Sequence, residues 1–393
     1  MSRFATSADD LPFLFEAHHA AVGAAAGEVA AGWRVDDGDD RARTRAAALA
    51  LAEAGLLGWC VPKAYGGCAP ERLDVRALTL VREALGQADG LLDTAFAMQG
   101  LGSYPITLAG SPAQKARYLP GVLDGSRLGA FALTEPEAGS DVASMRCAAR
   151  RDGSGWVLDG AKTFISNAGI AGQYVVFAQT DPSARGRGIA AFVVEPDDAG
   201  LGVEPLEVIA PHPIGTLRFD DVALAPDRLL APPGEGFKLA MRTLDAFRNT
   251  VAGAALGMAR RALDEAVGRA AARVQFGKPI IEQQQIGAYL AESATELDAA
   301  RLLVYRAAWA RDTREDRVSS EVAMGKLFAT EAAQRIIDRA VQIFGGLGVT
   351  RGVPVERLYR EVRALRIYEG TSEIQRVIIA AALRARVGEG GAR

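Results

Sequence analysis

Gly129-Ala-Phe-Ala-Leu133, Trp156-Val-Leu158, Tyr174-Val-Val-Phe-Ala178, Ile189-Ala-Ala-Phe-Val-Val194 and Leu217-Arg-Phe-Asp-Asp-Val222 are short runs rich in β-branched and aromatic residues, separated by Gly, Asp, Asn and Pro. Runs of this length between turn residues read as strands. Asp152-Gly-Ser-Gly155 lies between two such runs and reads as a hairpin turn, because its glycines tolerate positive φ. Antiparallel pairing is therefore expected over residues 129–238, not the parallel crossover of a dinucleotide-binding sheet.

Upstream, residues 1–128 are mostly helical in pattern, with Ala-rich periodic segments near 43–59, 72–86 and 89–109. Ser111-Pro112-Ala113-Gln114 offers a capping hydroxyl, a Pro at the first helical position and a Gln three residues after the cap, so a short helix is expected to follow to Leu119. Downstream, residues 239–393 return to long helices over 244–273, 283–312 and 319–344, then shorter ones near 355–366 and 372–387. In the second of these, Ile286, Leu290, Ala294, Leu297, Ala300, Val304 and Ala307 form one apolar stripe. Helices of roughly 25 to 30 residues are about 40 Å long, which suits a bundle. The Gly/Arg-rich end after Val387 is expected to fray. The predicted fold class is α+β, mostly α: a helical domain 1–128, a β domain 129–238 and a helical domain 239–393.

Composition agrees with this. The chain has 393 residues, enough for two or three domains, and its 49% hydrophobic and 24% charged content is that of a globular protein. A formal charge of -3 supplies no basic field for nucleic acid or a membrane surface. Cys60, Cys68 and Cys147 show no paired spacing, so neither a disulfide framework nor a zinc ribbon is indicated and a reducing cytoplasm is expected. The opening Met-Ser-Arg-Phe-Ala-Thr-Ser-Ala-Asp-Asp lacks the basic start and apolar middle of a signal peptide, so no export is predicted. The uncharged stretches Thr94 to Gln114 and Thr163 to Thr180 are studded with polar residues or Gly and should not span a bilayer.

Common cofactor signatures fail on context. Gly346-Leu-Gly348-Val-Thr-Arg351 has Arg at the third Gly position of a dinucleotide loop and follows a helix where a strand is needed. Gly155-Trp-Val-Leu-Asp-Gly160-Ala-Lys162-Thr163 has Ala161 inserted before the Lys of a phosphate loop. His18, His19 and His212 are too few and scattered to suggest a metal site, and none is predicted.

What remains is a set of polar junctions. Leu133-Thr134-Glu135-Pro136-Glu137-Ala138-Gly139-Ser140-Asp141 offers backbone N–H groups and hydroxyls to a polar ligand, although its composition also fits an ordinary turn. Phe164-Ile165-Ser166-Asn167 puts an aromatic and a hydroxyl two residues apart, on one face if the strand is regular. Tyr368-Glu369-Gly370-Thr371-Ser372-Glu373-Ile374-Gln375 places an acid just before a helix for which Ser372 and Gln375 are expected to form a capping box. Apolar flanks would raise the pKa of Glu369 and the helix N-terminus would lower it; a base for carbon acids works best when burial wins.

These junctions, in this order, resemble the acyl-CoA dehydrogenase family of flavoproteins. The resemblance is carried by Pro62-Lys-Ala-Tyr65-Gly66-Gly67, Gly110-Ser-Pro-Ala-Gln-Lys115 with Tyr118-Leu119-Pro120, and Phe131-Ala-Leu133-Thr134-Glu135-Pro136 with Gly139-Ser140-Asp141. It continues through Gly160-Ala-Lys162-Thr-Phe164-Ile165-Ser166-Asn167, Arg273-Val-Gln-Phe276-Gly277 with Gln284, Gln342-Ile-Phe-Gly345-Gly346 and Tyr368-Glu369-Gly370-Thr371. It implies a helical domain, a small antiparallel β-barrel-like domain and a C-terminal four-helix bundle. It further implies FAD, with Phe131, Leu133 and Thr134 at the flavin ring, Ser166 near its N5, Phe164 against its face, and Gly139 and Ser140 at the pyrophosphate.

Arg273, Phe276, Gln284, Gln342, Gly345 and Gly346 resemble the set with which a neighbouring subunit grips the FAD adenosine and pyrophosphate, and Thr371 and Glu373 join the cofactor-binding residues. A homodimer is then the minimum, and a tetramer is expected. Glu369 resembles the base that takes the α-proton of an acyl-CoA, with the β-hydrogen leaving as hydride to flavin N5 to give a trans-2-enoyl-CoA and the electrons passing to an electron-transfer flavoprotein. Ser140, Asp245, Arg248, Tyr368 and Gly370 would meet the substrate, a short- or medium-chain thioester. Three departures stand out: Phe164 where the family commonly has Trp, Ala210-Pro-His212-Pro-Ile-Gly215 in place of a basic Gly-containing loop, and Phe247 where some branches carry the base. Rival readings are a dehydrogenase of acyl groups on a carrier protein, a flavin monooxygenase or oxidase of the same fold, and a non-catalytic acyl-CoA binding protein.

Overall fold

In the computed structural model of this chain the described residues are 4–35, 38–70 and 72–390. They form two compact units. One comprises Met1–Val35, Val75–Asp93 and Arg248–Arg393; the other comprises Asp36–Asp74 and Thr94–Phe247.

The second unit carries the sheet. Its strands are β1 (Gly129–Ala132), β2 (Ala148–Asp152), β3 (Gly155–Ser166), β4 (Gln173–Gln179), β5 (Ile189–Val194), β6 (Leu201–Pro205), β7 (Ile214–Leu224) and β8 (Leu229–Ala231). They are ordered β6-β7-β3-β2-β4-β5-β8, with β1 also on β4. The turn at Asp152 to Gly155 forms as expected: those two residues pair, and Gly153 takes φ 54°. The pairing is not wholly antiparallel, however. β1 runs parallel to β4, with Phe131 opposite Val175, and β2 meets β4 in parallel at Ala148 and Gln179. The sheet is therefore mixed, because the chain between β1 and β4 is long enough to return in the same direction. Every residue of β4 and β5 is buried, which explains their unbroken apolar runs. Trp156 and Phe192 meet edge to face at 5.3 Å within this core.

Before the sheet, helix Pro112–Leu123 starts as its sequence requires: Gln114 N–H donates to Ser111 Oγ at 3.2 Å and Ser111 N–H to Gln114 Oε1 at 2.8 Å. Gln99, in helix Gly90–Ala109, brackets the entry to β1; it donates to the carbonyls of Val122 and Arg127 and accepts from Gly129 N–H at 2.9 Å.

The first unit is a helical assembly. It contains Ala17–Gly32, Val75–Ala88, Gln284–Thr313, Ser319–Phe344, Pro354–Leu365 and Ser372–Gly390, together with the part of Gly236–Ala272 that begins at Arg248. Small residues let backbones approach: a Cβ on Gly257 would lie 2.1 Å from the Glu83 carbonyl oxygen, and one on Gly86 would lie 2.8 Å from that of Ala254. In helix Gln284–Thr313, Leu290, Leu297, Ala300, Val304 and Ala307 are buried as the stripe predicts, but Ala294 is exposed and Ser293 is buried in its place. The 3.6-residue turn accounts for that drift. The last helix runs on to Gly390 instead of stopping near 387, and the rest of the tail expected to fray, residues 391–393, lies outside the described residues. Among the described residues no helix is long and apolar enough to cross a membrane.

Candidate active site

Glu369 sits in the connector between helices Pro354–Leu365 and Ser372–Gly390, with its backbone in the left-handed region at φ 52°. A non-glycine residue held there needs surroundings that impose it. Three consecutive carbonyls supply them. The buried Lys326 ammonium donates to Tyr368 O and, at 2.6 Å, to Gly370 O; Arg248 Nε donates to Glu369 O at 3.2 Å; Gln375 Nε2 donates to Gly370 O at 2.7 Å. Gly370 follows at φ 90°, and a Cβ there would lie 2.7 Å from Gln375 Nε2.

The Glu369 carboxylate is the exception to this saturation, since its buried Oε2 has no hydrogen-bond partner. Burial raises its pKa against the pull of Arg82, Lys326 and Arg248, and Asp93 adds to the rise. The same burial pushes the Lys326 ammonium below its ordinary range, opposed by the Glu369 charge. Arg82 is tied down by a two-pronged ion pair to Asp93, at 2.8 and 2.7 Å, and by Thr250 Oγ1 at 3.0 Å.

The expected capping box does not form, and a single side-chain cap stands one residue earlier. Thr371 Oγ1 accepts from Ile374 N–H, whereas the Ser372 hydroxyl donates to Glu331 Oε1 at 2.6 Å and Gln375 turns to Gly370. Ser372 is the first helical residue, so its side chain lies too far along the helix to cap it.

In the second unit, the junction after β1 is built on a buried ion pair. Lys162 Nζ donates to Glu135 Oε1 at 2.6 Å and to Leu133 O at 3.0 Å, while Glu135 also accepts from the N–H groups of Arg146 and Cys147. Thr163 N–H donates to Thr134 O at 2.9 Å. Phe131 and Leu133 are buried, Thr134 is half-buried, and Gly139 and Ser140 are exposed. Phe164 departs from expectation. The β3–β7 register shifts between Lys162 and Ile165, Phe164 takes φ 55° and its side chain is 63% exposed, so the two-residue alternation that would put it on one face with Ser166 is broken. Ser166 Oγ lies 2.7 Å from His212 Nε2.

Most of the remaining cofactor candidates lie at the surface. Phe276 and Gly277 form the tip of a small hairpin that pairs Val274–Gln275 with Lys278–Pro279; both have positive φ, and Phe276 is 96% exposed. Arg273, Gln284, Gln342, Gly345, Gly346 and Glu373 are exposed in the same unit, and Thr371 is half-buried. Asp245 is half-buried in the second unit, whereas Arg248, Tyr368 and Gly370 are brought together with Glu369 in the first.

Three models of one family match in succession: the acyl-CoA dehydrogenase N-terminal domain over residues 18–126, the middle domain over 130–222 and the C-terminal domain over 234–384. The chain belongs to the acyl-CoA dehydrogenase family. It is similar to the probable acyl-CoA dehydrogenase fadE25 of Mycobacterium leprae, with 40% identity covering 88% of this chain and 90% of that one. It is also similar to the human mitochondrial short-chain specific acyl-CoA dehydrogenase, at 41% identity over 83% of this chain and 79% of that one. A glutaryl-CoA dehydrogenase of Mycobacterium smegmatis in complex with FADH2 superposes with a TM-score of 0.87 at 27% identity, covering 97% and 98% of the two chains.

As a member of the acyl-CoA dehydrogenase family the chain is an oxidoreductase acting on acyl-CoA, and the family's cofactor is FAD. Sequence reasoning about the acyl-CoA dehydrogenase motifs did not single out Arg82, Asp93 or Lys326, and placed His212 in a departing loop without giving it a role. Lys326 left a trace, a lone cation in the apolar run Val322-Ala-Met-Gly-Lys326-Leu-Phe-Ala329. Arg82 and Asp93 left none, because either reads equally well on an exposed helix face.

Proposed function

We propose that this chain dehydrogenates a short- or medium-chain acyl-CoA to the trans-2-enoyl-CoA, with Glu369 removing the α-proton. The observation that carries the reading is the half-buried Glu369, held by a pinned backbone, whose buried Oε2 is unpartnered. The α-hydrogen of a thioester is a weak acid, so its base must be basic, fixed and shielded from water. A carboxylate whose pKa burial has raised is a stronger base than one in solvent, and its free oxygen is open to accept a proton. The neighbouring Arg82, Lys326 and Arg248 oppose that rise, since a buried cation favours the charged form.

The residues present fit FAD. Phe164 and Phe276 hold aromatic rings out on left-handed backbone, where a planar partner would remove them from water, and the half-buried Ser166 offers a hydroxyl. In this reading Phe131, Leu133, Thr134, Phe164 and Ser166 hold the flavin ring, and Gly139 and Ser140 the pyrophosphate. Arg273, Phe276, Gln284, Gln342, Gly345, Gly346, Thr371 and Glu373 grip the cofactor of a neighbouring copy, so the working unit is a homo-oligomer. When bound, FAD supplies the two-electron acceptor for the β-hydrogen. Asp245, Arg248, Tyr368, Gly370 and Ser140 orient the thioester, and an electron-transfer flavoprotein reoxidises the enzyme. Similarity to the short-chain specific enzyme favours a short acyl chain.

The test is anaerobic titration of the purified flavoprotein with a panel of saturated acyl-CoA thioesters, followed at the flavin band. The wild type is expected to bleach with a short or medium chain and to yield the enoyl thioester. Glu369→Gln should retain FAD and reduce about 10²- to 10⁴-fold more slowly. Unchanged reduction in that variant would remove Glu369 from the chemistry.

A further inference from the structure

His212 stands in the loop that departs from the family pattern, and its surroundings are specific. Its ring Nε2 lies 2.7 Å from Ser166 Oγ and its ring Nδ1 is buried with no hydrogen-bond partner, while its backbone N–H donates to Asp40 Oδ2 at 3.1 Å. Desolvation lowers the imidazole pKa to about 4, so the ring is neutral at ordinary pH and carries a single N–H.

Two tautomers are then possible, and they differ in what they leave unsatisfied. With the proton on Nδ1, that N–H would be an orphaned buried donor and Nε2 would accept from the serine. With the proton on Nε2, the ring donates to Ser166 Oγ and only a lone pair on Nδ1 goes unused. Orphaned buried donors are the rarer and costlier of the two, so the second tautomer is favoured. A serine hydroxyl has one hydrogen. If His212 donates to its oxygen, that hydrogen must point to some other acceptor.

We propose that His212 is a positioning residue that turns the Ser166 hydroxyl outward as a fixed donor to an acceptor atom of the bound flavin ring. The proposal rests on the reading of Ser166 as a flavin contact given above. It sets His212 and Ser166 apart from a hydrolase pair, in which the serine donates to the imidazole and the ring gains a proton on attack. Here the ring offers a proton instead of a lone pair, and its burial disfavours the imidazolium that nucleophilic chemistry needs.

Because the chain has only three histidines, the imidazole nitrogens are separable by long-range ¹H–¹⁵N correlation on the ¹⁵N-histidine-labelled holoenzyme. His212 should show a protonated Nε2 and a bare Nδ1; the opposite pattern overturns the proposal. The second readout is the flavin midpoint potential. Losing one oriented hydrogen bond of ordinary strength should change the ratio of reduced to oxidised flavin at a fixed potential by up to about tenfold. His212→Phe should show that change and His212→Gln, whose amide N–H can replace Nε2–H, should largely restore the wild-type value.

In a Ser166→Ala background, His212→Phe should shift nothing further. An equal shift with and without Ser166, no shift at all, or covalent labelling of Ser166 by a fluorophosphonate each rules the proposal out. Failure of every acyl-CoA to bleach the flavin would defeat the proposed dehydrogenation yet leave the tautomer and potential measurements decisive; a protein that binds no flavin defeats both.

Discussion

At Glu369 one residue combines a left-handed backbone with a buried, unpartnered carboxylate oxygen, each unfavourable alone. Lys326 offsets both: its two hydrogen bonds hold the flanking carbonyls, and its charge opposes the desolvation of the carboxylate. In the role proposed for it Glu369 must be unprotonated to act, so reduction by substrate should rise with pH through the Glu369 pKa, a limb lying above the usual carboxylate range. Lys326→Met removes a cation that favours the carboxylate, so the limb should move to still higher pH and the rate at neutral pH should fall. Lys326→Arg keeps the charge without the compact ammonium geometry and should move the limb less than it slows the reaction. Rapid-reaction measurements of flavin reduction across pH decide the matter; a limb that stays put in Lys326→Met would show that Lys326 only holds the loop.

Among the elements, helix Ser372–Gly390 and strand β3 show where local rules hold and where they yield. The sequence predicts a cap at Ser372, yet the first-turn donor is satisfied by Thr371 and the Ser372 hydroxyl goes to Glu331. Thr371→Ala should therefore destabilise the protein by about 0.5 to 2 kcal/mol, the range for loss of an N-cap, as read from denaturant midpoints. A loss below that range would mean the helix start is held by Gln375 and Glu331 alone. In β3 the bulge at Phe164 was invisible to alternation, because the run Lys162-Thr-Phe-Ile-Ser166 carries no glycine to announce it. Ser111 and Gln114, by contrast, were legible, since a capping box involves only neighbours in the chain.

For the whole molecule, stability carries its own pH signature. Glu361 is buried beside Asp89, and burial with that like charge pushes its pKa up to about 8. Its folded-state pKa exceeds the ordinary glutamate value of 4.5, so the folded protein holds a proton that the unfolded chain releases. The contribution is most favourable below about pH 4.5 and is lost as pH rises toward about 8, with a slope of at most about 1.4 kcal/mol per pH unit. Glu361→Gln, which stays neutral, should be more stable than the wild type at pH 8 by a margin that shrinks toward pH 5. Thermal unfolding at both values checks this, and a constant margin would exclude titration of Glu361 as its source.

The sequence by itself determined the α, β, α succession, the hairpin at Gly153, the Ser111 cap and the family motifs, because periodicity, turn chemistry and short motifs are carried by residues close together in the chain. Tertiary structure alone decided the parallel pairing of β1 with β4, the burial of the Glu369 Oε2 atom, the grip of Lys326 on carbonyls 42 and 44 residues away, and the meeting of Ser166 with His212. The reason is physical. Desolvation and long-range hydrogen bonds depend on what packs around a group, and that is set only when distant segments have folded together.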